Sequence, residues 1–199
     1  MWALMWRLAF GTGMRQGERF AVTPSELVVS NGVHGIMVMH ELQRYKAGTV
    51  IPSWLHAARV RGEVWMVPPK SRKGVGFIPL EDDLWHDLHQ WIEEQHIGPE
   101  DLVFTRDGWP LTNPVERRRW SMALEEAGLP YVTIRSARHF FVTRLAEAGA
   151  PEDARKDLMG HVSIGTTAGY THWSPQILAA LVGKAGHTIE QPTQVSAIG

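Results

Sequence analysis

Trp2, Met5, Leu8 and Ala9 recur at helical spacing over the first ten residues, and Gly11-Thr12-Gly13 closes that run. Leu27-Val28-Val29 and Ile36 to Met39 read as two short strands around Ser30-Asn31-Gly32, because Asn-Gly supplies positive φ at little steric cost. Residues 40–62 mix helix formers with Gly48, Pro52 and Gly62 and show no period. Glu63 to Val67 and Val75 to Leu80 are strand-like again, joined by the basic turn Pro69-Lys70-Ser71-Arg72-Lys73-Gly74.

After residue 80 the pattern turns helical. Leu84, Leu88, Trp91 and Ile92 line one face of an amphipathic helix whose other face is acidic. Asn113-Pro114-Val115-Glu116 has the form of a capping box with proline at the first helical position. Ser136 to Ala148 predicts a helix stopped by Gly149, with shorter helical turns at 152–159 and 163–170. Ser174-Pro175 opens a last helix through Leu181, and the chain from His187 onward reads as a flexible tail. The expectation is one α+β domain over residues 1–186, mostly helical, with a small antiparallel sheet in its N-terminal half packed on a helical bundle. Residues 187–199 form the tail.

Composition agrees with a single core: of 199 residues, 44% are hydrophobic and 21% charged, the balance of an ordinary globular chain. Cysteine is absent, which excludes disulfides, thiolate metal sites and a cysteine nucleophile. The opening MWALMWRLAF is broken by Arg7 and falls short of the ~18 apolar residues that suggest a bilayer span. A soluble, cytoplasmic protein is expected.

Net charge is −1, which by itself does not suggest nucleic acid. Its distribution does. Residues 81–107 hold nine acids against Arg106 alone, so the remainder of the chain is basic by seven charges. A chain with one acidic face can present a phosphate-binding surface elsewhere. The alternative is that the acidic helix is simply a solvated face. Ten histidines raise the question of a metal, but His86 and His89 have no third ligand at a recognised spacing, and no metal or cofactor is expected.

Four segments stand out together. Thr12-Gly13-Met14-Arg15-Gln16-Gly17-Glu18 holds an arginine just after a glycine turn, and Lys70 precedes Phe77-Ile78-Pro79-Leu80. Ile134-Arg135-Ser136-Ala137-Arg138-His139 is followed later by Leu158-Met159-Gly160-His161 and, nine residues on, Tyr170. In this order they resemble the catalytic domain of the tyrosine recombinase, or phage integrase, family over about residues 3–182. That family combines an arginine in a T-G-L-R-x-x-E turn, a hairpin lysine before an I-P-L strand, H-x-x-R-H, and L-G-H-x-x-I-x-T-T-x-x-Y.

The resemblance implies catalytic roles for Arg15, Lys70, Arg135, Arg138, His161 and Tyr170. It also implies double-stranded DNA as partner and, for the full-length protein, a homo-oligomer (a tetramer) on that DNA, in a phage or mobile element of a prokaryotic host. Tyr170 would attack the scissile phosphate and form a 3′-phosphotyrosine, while arginine forks hold the non-bridging oxygens. Lys70 would protonate the 5′-oxygen, with Lys73 as the alternative. Two departures accompany the match. Arg135 stands where the family carries a histidine, and the stretch from Arg15 to Lys70 is longer than usual, which makes 40–62 a candidate insertion. The family usually carries an N-terminal core-binding domain that completes a clamp on the duplex, and the expectation is that none fits ahead of Arg15. The expected function is therefore the catalytic domain of a site-specific DNA recombinase. The rival is a non-catalytic DNA-binding remnant or regulator of the same fold.

Overall fold

The computed structural model describes residues 1–69, 76–160 and 173–187. Helix α1 (Trp2–Thr12) buries Met5, Leu8, Ala9 and Thr12 along one face. It ends at Gly13, whose φ of 62° is left-handed and whose N–H closes on the carbonyl of Ala9 at 3.0 Å. A short helix α2 (Gln16–Ala21) follows at once, with Arg15 as its N-cap. At six residues it is too short to hold itself together in water, so its place depends on what packs around it.

The β-structure is larger than the single small sheet expected. Strands β1 (Leu27–Ser30) and β2 (Val33–Val38) form a hairpin whose two turn residues, Asn31 and Gly32, both have positive φ, the twist-compatible geometry that Asn-Gly favours. Strand β6 (Gly76–Pro79) pairs antiparallel with β2, completing a first three-stranded sheet in the order β1-β2-β6.

Residues 40–62 are not featureless. They contribute β3 (Glu41–Arg44), a 3-10 turn at Ser53–Leu55 and β4 (Ala58–Arg61). Both strands flank β5 (Val64–Val67) in a second antiparallel sheet, ordered β3-β5-β4. This overturns the expected hairpin of Glu63–Val67 with Val75–Leu80. Strand β5 already has a neighbour on each side, and β6 takes β2 instead. The stretch therefore supplies two of the sheet's three strands, and a Cβ on Gly17 of α2 would stand 3.1 Å from the Leu42 carbonyl oxygen of β3.

Helix α3 (Asp82–Glu94) buries Leu84, Trp85 and Leu88 and turns its acids outward. A two-residue ribbon, β7 (Thr105–Arg106) with β8 (Trp109–Pro110), turns at Asp107-Gly108, both at positive φ. Helix α4 (Asn113–Glu126) has Thr112 as N-cap, with no side-chain capping bond. The expected capping box is thus absent, and Glu116, its presumed second member, is fully buried.

Helices α5 (Ser136–Glu147), α6 (Glu152–Leu158) and α7 (Pro175–His187) complete the described residues. Gly149 stops α5 at φ 80° as expected, whereas α7 runs six residues past Leu181. The tail expected from His187 onward loses its first residue to α7, and the rest of it, like the helical turn expected at 163–170, lies outside the described residues. The core gathers Met5 and Leu8 of α1, Ile36 and Ile78 of the first sheet, Leu88 of α3, and Phe141 and Leu145 of α5. Truncating a side chain such as Leu145 to alanine there costs about 2–5 kcal/mol.

Candidate active site

Arg15 sits where α1 hands over to α2, and two local bonds fix it. Glu18, one turn on, accepts the Arg15 backbone N–H through Oε2 at 2.7 Å and the Arg15 guanidinium Nη1 through Oε1 at 2.8 Å. The carboxylate is nearly buried while the Arg15 side chain is 44% exposed. One end of the pair is anchored and the other faces solvent with further N–H donors to offer.

Arg138 comes from the first turns of α5. Its Nη1 donates to the Gly13 carbonyl at 2.7 Å and its Nη2 to the Met159 carbonyl at 2.5 Å. One guanidinium therefore ties the turn before Arg15 to the end of α6. Gly13 is required there on two counts. Its φ is left-handed, and a Cβ would stand 2.7 Å from the Phe141 ring and 2.9 Å from the Met159 methyl.

Arg135 is the N-cap of α5 and is exposed. Arg15, Arg135 and Arg138 line one cleft, together with Met14, Gln16 and Arg19. Their proximity registers electrostatically. Burial pushes the Arg138 pKa below its ordinary value, the charges of Arg15 and Arg135 push it the same way, and Glu18 opposes them. Three like charges held this close favour an anion between them.

Lys70, His161 and Tyr170 lie outside the described residues, whereas Pro69 and Gly160 lie within them. A second cleft shares Arg15 and Arg138 with the first, and its wall includes Gly76 and Gly160. Gly76 opens β6, just after the Lys70 segment, and Gly160 directly precedes His161. The described residues thus bring Arg15, Arg135 and Arg138 together and set Gly160, the residue before His161, beside Arg15 and Arg138.

Over residues 2–176 the sequence matches the phage integrase family. The chain belongs to the phage integrase family. Relatives within it include a XerC-like tyrosine recombinase of Caldanaerobacter subterraneus, 28% identical over 187 residues that span 85% of this chain and 45% of the relative. A XerC tyrosine recombinase of Halalkalibacterium halodurans is 40% identical over 37% of this chain and 25% of its own. The chain spans less than half the length of these curated relatives. Among solved structures, the Tn1549 transposon integrase in complex with circular intermediate DNA superposes with a TM-score of 0.63 at 21% identity, over 95% of this chain and 58% of that one. The integrase of mycobacterium phage Brujita gives 0.57 at 18% identity, over 92% and 51%. These establish the integrase fold.

Sequence reasoning missed the groups beneath the arginines. Glu116 of α4 accepts Arg19 Nη2 at 2.5 Å through Oε1 and the Gln16 side-chain amide through Oε2. A signal existed: Glu116 falls four residues before Trp120 and eight before buried Leu124, on the inward stripe of α4. Arg117, Arg118 and Arg119, considered as phosphate-tracking residues, are all exposed. The paired histidines of α3 serve aromatic packing. His89 lies 4.4 Å from the Trp85 ring, on which the His34 ring stacks at 4.6 Å and 6°, and His86 meets His34 edge-on at 6.3 Å. Among the described residues no group of three His, Asp or Glu side chains could hold a metal.

Proposed function

We propose that this chain is the catalytic domain of a site-specific DNA recombinase that breaks and rejoins strands through a phosphotyrosine. The observation that carries the reading is that Arg15, Arg135 and Arg138 line one cleft, while Arg15 and Arg138 also line a second with Gly76 and with Gly160, the residue before His161.

The chemistry follows from the side chains. Attack by the Tyr170 hydroxyl on the scissile phosphate builds negative charge on the non-bridging oxygens. Arg15 and Arg138 hold that charge as fixed cations, and His161 adds a donor. Arg138 is placed by its two carbonyl bonds and retains further N–H groups for a phosphate. Lys70 supplies the proton that the departing 5′-oxygen needs. The product is a 3′-phosphotyrosine and a free 5′-hydroxyl, with the Tyr170 proton passing to water or to His139, and attack by a 5′-hydroxyl of the other duplex reverses the step. Arg135 contributes charge but no proton exchange, since a guanidinium stays protonated at any ordinary pH.

The partner is double-stranded DNA, on which the full-length protein assembles as a homo-oligomer in a phage or mobile element of a prokaryotic host. The second reading, a DNA-binding remnant without strand cleavage, is favoured by Arg135 in place of histidine. A nicked suicide duplex separates the two: a covalent protein–DNA band supports the enzyme, and DNA binding without that band supports the remnant.

A further inference from the structure

Arg15 is the N-cap of a helix too short to orient itself. Beside its packing against Leu42 of β3, one carboxylate from a distant part of the chain ties two of its side chains down. Glu116 is fully buried, and its two oxygens take Gln16 and Arg19, the residue after Arg15 and the one a turn further on. Arg19 is itself 4% exposed and its Nε finds no hydrogen-bond partner among the described residues, so Glu116 is the chief compensation for a cation taken out of water. Burial pulls the Arg19 pKa down, and Glu116 holds it up. Gln16, Arg19 and Arg15 all face the cleft that Arg135 and Arg138 complete.

We propose that Glu116 is a positioning residue: by bridging Gln16 and Arg19 it sets the rotation of α2 and thereby the place of the Arg15 guanidinium at the scissile phosphate. Neither Glu116 nor Arg19 touches the reacting atoms in this account. The proposal rests on the function proposed above for the cleft. A buried ion pair is a poor source of net stability compared with apolar residues of similar volume, and is better understood where it fixes one arrangement over others.

The test uses the double variant Arg19→Met/Glu116→Leu, which removes both charges and leaves no unpaired ion in the core, beside Glu116→Gln. Two readouts are needed. Amide hydrogen exchange at Arg15 to Ala21 reads the brace without reference to catalysis. It should accelerate in the double variant while exchange at Leu145 of α5 stays native. Covalent capture is then timed on a nicked duplex with an ordinary scissile phosphate and on one carrying a methylphosphonate there. The neutral phosphonate has one charge fewer for Arg15 to hold. Capture should slow ~10- to 100-fold on the phosphate, the size of effect that small misplacements of catalytic groups produce, and much less on the phosphonate. A merely structural loss slows both equally and would overturn the proposal, as would unchanged exchange in α2. If the native chain captures no DNA, the recombinase reading fails, and the exchange data alone decide whether Glu116 braces α2.

Discussion

Arg138 and Gly13 are 125 residues apart in the chain, yet the Arg138 guanidinium donates to the Gly13 carbonyl at 2.7 Å. The same side chain reaches Met159, so a residue assigned to the phosphate also fastens the turn that delivers Arg15 and the helix end that leads to His161. The charge proposed for the phosphate and the scaffold are one group here.

Gly13→Ala should therefore damage more than a turn. An alanine must adopt φ near 62° and place its Cβ against Phe141 and Met159, at a cost of about 1–3 kcal/mol from strained backbone and crowding. A drop in thermal midpoint together with slowed DNA capture is expected. An unchanged midpoint would mean that the turn tolerates the side chain.

Arg135→His should raise the capture rate, most clearly near neutral pH, where an imidazole can both donate to the phosphate and accept a proton. Arg135→Ala loses donor and charge and should be slower than the native chain. If histidine is slower than arginine and alanine matches histidine, Arg135 holds the phosphate in a way the family pattern does not describe.

Lys70→Ala should slow capture strongly on ordinary DNA and far less on a 5′-phosphorothiolate duplex, whose sulfur departs without a proton. Equal slowing on both substrates would move the acid role to Lys73.

Glu26 gives a pH signature remote from the cleft. Burial raises its pKa above the usual 4.5, while bonds from His40 and the backbone N–H groups of Thr23 and Met39 pull the other way. A carboxyl raised in the folded state contributes stability that is complete below its ordinary value and is lost as pH rises through the raised one. Glu26→Gln should thus gain on the native chain in thermal midpoint as pH goes from about 4 to about 7. His40→Ala removes a group that lowers the Glu26 pKa, so its deficit should widen over the same window. Parallel pH curves for native and Glu26→Gln chains would contradict this.

Much of the helical framework was legible because its signals are local. Met5, Leu8 and Ala9 repeat at helical spacing before Gly13, and Asn31-Gly32 announces its hairpin. Other parts were not local. Helix α2 spans less than two turns, too few to show a period, and its neighbours Leu42 and Glu116 come from other elements. Asp107-Gly108 carried a turn signal as good as Asn31-Gly32, but strands of two residues around it have no pattern to read. Strands β5 and β6 looked like hairpin partners because they are sequential. The pairing was decided by β3 and β4, which lie in a stretch with no readable period. At the site, spacing alone could not bring Arg15 to Arg138. The family pattern did, while the Glu116 brace had no counterpart in that pattern.

The central claim is that this cleft works with Tyr170 to cleave DNA covalently, and one measurement reaches it most directly. The chain is incubated with a nicked, end-labelled duplex that traps the cleaved state, then denatured and resolved by size, with native and Tyr170→Phe proteins side by side. The account predicts a labelled band at protein-plus-DNA mass for the native chain and none for Tyr170→Phe, with both binding the duplex equally well, since only the phenolic oxygen differs. A band that persists in Tyr170→Phe, or no band from a native chain that binds the duplex, would contradict it.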